Sequence, residues 1–303
     1  MSVKYVFVTN FYSYSAFCWQ EKSSLLGGMA MNKKLKDLSI YIVLVIGAVF
    51  ILLPFVWMIL TALKAPDEIF TNPPVILPKK LRWENFLEVL KIPMFKRYFL
   101  NSIIITVSIT IGELITTILA AFAFSQFEFK GKEIIFTLLL ATMMVPDEVL
   151  VIPNFVLLSK LGWINTYKAL IIPWCTSVFA IFFLRQYFLG IPKELYYAAK
   201  VDNCSDFKYL VKIMIPLSTP AIVTVAILKI INSWNAFMWP LVVTNSEKMR
   251  TLPTMLANYT SEAGIDYHLL MAASTIVILP TLIIYIFLSK YIINGVSRSG
   301  IKG

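Results

Sequence analysis

Residues 38–63 read LSIYIVLVIGAVFILLPFVWMILTAL, a stretch without one charged side chain. A helix needs roughly 20 apolar residues to cross a hydrocarbon core, so this block already excludes an ordinary soluble fold. Comparable blocks follow at 99–124, 134–158, 169–184, 220–243 and 269–288. The third carries Pro146, Asp147 and Glu148 in its interior, which mark a break or bend. Only 15% of the 303 residues are charged and 58% are hydrophobic, whereas about a quarter are charged in a soluble domain. The spacing predicts an all-α polytopic membrane protein with six transmembrane helices and both ends on one side. Little length remains for a separate soluble domain.

The formal net charge of +10 fits membrane lipid better than nucleic acid, because basic residues flank spans and face anionic headgroups. Cys18, Cys175 and Cys204 lie far apart, and His268 is the single histidine. That pattern offers neither a disulfide framework nor a usual metal site. With the ends inside, the internal segments hold Lys33, Lys34, Lys36, Lys130, Lys132, Arg185, Lys193, Lys200, Lys208, Lys212, Lys290, Arg298 and Lys302. The short external loops hold Lys160, Lys168, Lys248 and Arg250. This bias places both termini in the cytoplasm. The first external loop runs against it, with Lys64, Lys79, Lys80, Arg82, Lys91, Lys96 and Arg97, diluted by Asp67, Glu68, Glu84 and Glu88. Residues 1–32 read as an aromatic-rich N-terminal extension, with Met29 or Met31 as the tidier start; residues 33–303 then form the membrane domain.

Between the fourth and fifth blocks the chain reads IPKELYYAAKVDNCSDFKYLVKIMIPLSTP, residues 191–220. Taken as a helix, KELYYAAKVD puts Leu195, Ala198, Ala199 and Asp202 at i, i+3, i+4 and i+7, on one face. Small alanines let another surface approach the backbone. Glu194 suits the first turn. Asp202 and Asn203 tolerate a turn, and Ser205 can cap a second helix on which Phe207, Leu210, Val211 and Met214 recur. Pro216 and Pro220 then return the chain to the membrane. The expectation is a short cytoplasmic helix-turn-helix. A plain connector, an interfacial helix anchored by Tyr196 and Tyr197, and a docking element for a soluble partner all remain open on these residues.

The segment resembles the coupling loop of ABC-importer membrane subunits, with a pattern near I-P-x-E-L-x-E-A-A-x-x-D-G-A followed by I-x-x-P-L-x-x-P. Ile191, Pro192, Glu194, Leu195, Ala198, Ala199 and Asp202 match, as do Ile213, Pro216, Leu217 and Pro220. Tyr197 stands where the family usually has glutamate, Asn203 where it has glycine, and Cys204 where it has alanine. Asparagine is a mild replacement for glycine in a left-handed turn. LAAFAFSQFEFKGKE, MMVPDEVLVIPNFVLLSKLGWINTYKALIIP, SWNAFMWPL and YIINGVSRSGIKG are similar to landmarks of the carbohydrate-importer branch, of the maltose second-permease type. The resemblance covers residues 33–303. It implies a permease subunit of a bacterial or archaeal cytoplasmic membrane, paired with a second homologous permease, two cytoplasmic ATPase subunits and an extracytoplasmic solute-binding protein. Glu194, Leu195, Tyr197, Ala198, Ala199, Asp202 and Asn203 would then couple to the ATPase. The implied cargo is a sugar or related polyol.

Polar residues inside spans face a cavity or a partner. Lys229, Asn232, Asn235, Glu113 and Trp234 are the translocation-path candidates. Each has a structural alternative: Lys229 paired to a carboxylate, Glu113 among them; the asparagines as interhelical links; Trp234 and Trp239 as packing or interface anchors. The IPNF turn at 152–155 is expected to shape the third span. No phosphate-binding loop is present, since Gly131–Lys132 has Gln126 where the first glycine belongs and Glu133 after it. The expectation is a non-catalytic chain without a cofactor, with ATP and magnesium held by partner subunits. The alternative is an ion-coupled secondary transporter using Glu113, Asp147, Glu148 and Lys229, although no internal repeat supports it.

Overall fold

The computed structural model describes residues 37–261 and 264–297. The 1–32 extension and the terminal charges Lys33, Lys34, Lys36, Arg298 and Lys302 lie outside the described residues. The chain divides into two units, 1–57 and 58–303. Helix α1 (Asp37–Ala62) supplies the described part of the first, and its apolar side chains are exposed from Leu38 to Val56.

In the second unit, α2 (Glu84–Leu90) precedes the long α3 (Phe95–Gln126). Helices α4 (Lys132–Thr142) and α5 (Asp147–Lys160) meet at a 98° bend. Pro146 disfavours helical backbone at Val145, which favours a break there. Then come α6 (Tyr167–Ile171), α7 (Val178–Leu189), α8 (Lys193–Val201) and α9 (Asp206–Leu217). Helix α10 (Thr219–Trp234) leaves α9 at 80°, followed by α11 (Met238–Val243) and α12 (Tyr267–Ser297). Among the described residues, four helical stretches are long and apolar enough to cross a membrane: α1, α3, Tyr167–Leu189 and the described part of α12. The α4–α5 and α9–α10 pairs also pass if each bent pair counts as one span. A two-residue strand pair, Thr260–Ser261 with Gly264–Ile265, is the exception to an all-α fold among the described residues.

Helix α3 carries most of its polar side chains inward. Asn101, Ser102, Thr106, Thr110, Glu113, Thr117 and Ser125 are buried, while Ile103, Ile104, Val107, Ile111, Ile115 and Leu119 are exposed. This inversion suits a chain whose solvent is hydrocarbon: apolar side chains cost nothing there, and polar ones need internal partners.

Three local readings change. The fourth span is interrupted: a 3-10 turn at Ile172–Trp174 and a non-helical step separate α6 from α7. Pro173 cannot donate to the carbonyl of Ala169, and the Trp239 indole donates to that carbonyl instead at 3.0 Å. The fifth span breaks after Trp234, where the Asn235 amide donates to the Ile231 carbonyl at 2.8 Å. Local side-chain bonding of this kind competes with the helix, and Pro240 leaves the Ala236 carbonyl without its donor. Residues 152–155 do not form a turn; they continue α5, with Pro153 inside the helix.

Candidate functional site

The segment 191–220 folds as a compact foot, α8 and α9, packed against α3, α7 and α10. Helix α8 ends in a left-handed cap: Asn203 has φ 54°, its N–H donates to Lys200 O at 3.1 Å, and Cys204 N–H donates to Ala199 O at 2.9 Å. That is the two-bond arrangement a glycine usually completes, here closed by asparagine. Ser205 caps α9, its hydroxyl accepting from Lys208 N–H at 3.3 Å. Asp206 then bonds back to α8. Its carboxylate accepts from Tyr196 Oη at 2.8 Å and pairs with Lys200 Nζ at 2.7 Å, and the Tyr196 ring packs edge-on against Tyr209. The bond to Lys200 holds the Asp206 carboxyl below its ordinary range and raises Lys200. Burial, then the Asp206 bond, raises Tyr196.

The foot is seated by apolar burial. Ala199, Tyr209, Leu210 and Met214 join Ala121 and Phe122 of α3, Leu184 and Phe188 of α7, and Ala221 of α10 in one cluster. Ala199 is therefore inward-facing, whereas Leu195, Ala198 and Asp202 are exposed. The face expected to be shared by all four is split, because Tyr196 and Ala199 define the buried stripe and Leu195 and Ala198 flank it. Outward lie Glu194, Leu195, Tyr197, Ala198 and Val201, the last 83% exposed. Past Tyr209 the chain passes through a π-helical turn, Leu210–Met214, before the bend at Ser218.

The second candidate centre lies midway along α3. Lys229 Nζ of α10 sits 2.5 Å from Glu113 Oε2, with side chains 14% and 4% exposed. The contact is ionic rather than a well-directed hydrogen bond, since that oxygen has no partner of hydrogen-bonding geometry. The interruption in the fourth span lies against the same part of α3. Thr116 Oγ1 donates to Cys175 O at 2.7 Å, and a Cβ at Gly112 would meet Cys175 Sγ at 2.6 Å, so only glycine admits the approach.

The remaining path candidates separate. Asn232 is exposed. Asn235 reaches Thr281 of α12, its amide donating to Oγ1 at 3.3 Å. Trp234 is buried, donates Nε1–H to Val277 O at 2.9 Å and packs edge-on against Phe99; its ring is committed to interhelical packing in this conformation. Trp239 is likewise buried against Trp174. Asp147 and Glu148 are exposed in the first turn of α5.

Sequence reasoning missed the asparagine nodes at the other end of α3. Asn101 donates to Lys248 O and Arg250 O and accepts from Tyr167 Oη. Asn165, at φ 61°, accepts from Asn245 N, Ser246 N and Ser246 Oγ. Asn85 donates to Ala62 O and Lys64 O. Partners up to 149 residues away leave no local spacing to find. The Tyr196–Lys200–Asp206 link had a signal: an i, i+4 pair, then an acid just after a serine cap.

Residues 113–298 match the family described as binding-protein-dependent transport system inner membrane component. The arabinooligosaccharide transport permease AraQ of Halalkalibacterium halodurans is 38% identical, over 86% of this chain and 96% of its own length. The trehalose/maltose transport permease MalG of Thermococcus litoralis is 37% identical, over 86% of this chain and 97% of its own. In a bacterial ABC transporter that imports the acidic polysaccharide alginate, one chain superposes with a TM-score of 0.76 at 23% identity, covering 85% of this chain and 96% of that one, a likeness of fold. The match over more than half the chain, together with these relatives, places the protein in the binding-protein-dependent inner-membrane component family, as a non-catalytic, membrane-spanning permease subunit of a carbohydrate-type ABC importer.

Proposed function

We propose that the chain forms half of the membrane core of an ATP-driven importer for a sugar or related polyol. In this reading residues 33–303 are the permease domain, crossing the membrane six times with both termini in the cytoplasm. Residues 191–220 are the cytoplasmic coupling helix-turn-helix. A second homologous permease completes the core, two ATPase subunits binding ATP and magnesium grip the feet, and an extracytoplasmic solute-binding protein delivers the cargo. Closure of the ATPases moves the feet, and the spans open outward. Hydrolysis resets the inward state.

The foot carries the reading. Its inward row is buried in the bundle, while Leu195, Tyr197 and Val201 face outward and exposed. A connector needs neither the capped turn nor the Asp206 link. Glu194, Leu195, Tyr197, Ala198, Asp202 and Asn203 form the ATPase face, and Ala199 seats it. Tyr197 makes that face aromatic where relatives of the pattern are acidic.

The cargo class rests on the relatives. Two of them are named for arabinooligosaccharides and for trehalose and maltose, and another for sn-glycerol 3-phosphate. Lys229 is paired with Glu113. Asn232 and Asn235 are exposed amides able to donate to and accept from hydroxyls, and Lys229 and Glu113 complete the set of path candidates. Family membership removes the ground for an ion-coupled carrier.

The test is Val201→Asp in the assembled transporter. Its thermal unfolding should stay within about 0.5 kcal/mol of wild type, as for exposed substitutions, while ATPase retention and solute uptake fall. Uptake undiminished in V201D and in the companion variant Tyr197→Arg would overturn the reading.

A further inference from the structure

We propose that Arg185 is the positioning residue through which displacement of the foot reaches the third span. This rests on the reading that α8 and α9 receive the ATPase stroke. Arg185 lies on α7, which runs directly into the foot through Gly190 and Pro192. Its neighbours Leu184 and Phe188 belong to the cluster that seats Ala199 and Tyr209.

One guanidinium makes three different contacts. Nε donates to Phe124 O at 3.0 Å. That carbonyl belongs to the last turn of α3, where no intrahelical donor remains. Nη2 pairs with Glu133 Oε1 at 3.3 Å in the first turn of α4. The guanidinium carbon stands 4.1 Å from the Phe136 ring centroid, within cation–π range. Phe136 in turn packs with Phe124 and Ile181. Arg185 thus ties the end of the second span and the start of the third to the helix that roots the foot.

The chemistry suits a rigid link better than a stabilising one. The Arg185 side chain is only 12% exposed, and the one carboxylate it meets is 73% exposed. A buried charge in such a pair gives little net stability, and apolar filling would serve as well. A planar fork fixed at three points transmits direction, which a lysine ammonium on a flexible stem does not. Without it, α4 meets α7 mainly through aromatic faces such as Phe136–Phe182, which can slide.

The experiment measures solute molecules moved per ATP hydrolysed, in proteoliposomes holding the complete transporter with its binding protein. Arg185→Gln should lower that ratio about tenfold, the scale of losing one charge-assisted hydrogen bond, while ATP hydrolysis continues. Arg185→Lys should recover part of the ratio. Glu133→Gln removes an exposed group that folding does not need, and should lower the ratio about threefold, within the surface-pair range. A wild-type ratio in both R185Q and E133Q would overturn the proposal. So would a proportional fall of hydrolysis and transport in R185Q, which marks a merely structural residue. If R185Q fails to assemble, E133Q decides alone. Failure of the wild-type chain to retain an ATPase would instead sink the reading of the foot.

Discussion

The foot and the Glu113–Lys229 centre handle charge in opposite ways. In the foot, Asp206, Lys200 and Tyr196 form a link whose ionic partners are each more than a third exposed. Water screens that pair, so its worth lies in geometry: it fixes the angle between α8 and α9 rather than adding much stability. In the middle of α3, Glu113 and Lys229 are almost fully withdrawn. There each charge depends on the other, because no solvent replaces a missing partner. A surface link can be altered one residue at a time; a buried pair answers as a unit.

The sharpest break of this contrast is a single truncation at the buried centre. Lys229→Ala or Glu113→Ala alone should destabilise the solubilised protein by about 3–5 kcal/mol, read as thermal unfolding, because it strands a charge. The double variant Glu113→Gln with Lys229→Met should recover most of that loss. Additive losses would show that the two groups do not act together. A middle-sized effect belongs to the turn of the foot. Asn203→Val puts a β-branched residue at φ 54° and should cost about 1–2 kcal/mol, whereas Asn203→Gly should be tolerated; limited proteolysis at the turn distinguishes them. Equal resistance of the two variants would contradict the left-handed cap.

The smallest effect is one of pH. Asp206 is depressed below its ordinary value of 3.8 by Lys200 first and Tyr196 second. A depressed carboxyl contributes stability in full above the ordinary value and loses it as pH falls through the folded value. Lys200, raised by the same bond, keeps its charge well above neutrality. Amide exchange in α8 and α9 should therefore be flat across neutral pH and rise only in strong acid. Asp206→Asn should abolish that acid step. A step near neutrality would mean that another group controls the foot.

Much of this is legible in the sequence. Apolar blocks located four helical stretches able to cross a membrane, or six if each bent pair is one span, and Pro146 marked the 98° bend. The capped two-helix foot followed from Ser205, Asn203 and the prolines, since caps and turns act within a few residues. Breaks within the fourth and fifth spans were harder. Pro173 and Pro240 were visible, but the Trp239 indole that donates to the freed carbonyl lies 70 residues from Ala169. Glu113 and Lys229 could be suspected as a pair by charge alone; their distance could not be read.

The sequence by itself determined that this chain crosses a membrane as helices and interrupts them for one amphipathic detour, because hydrophobic length and local turn chemistry are properties of neighbours along the chain. Only the tertiary structure decided which way each polar group turned. It put Ala199 into the bundle and left Ala198 outside, withdrew Trp234 into a helix contact, closed Glu113 on Lys229, and set Arg185 across three helices. Those choices depend on side chains brought together from distant positions, where burial makes every unpaired polar atom costly and so fixes its partner.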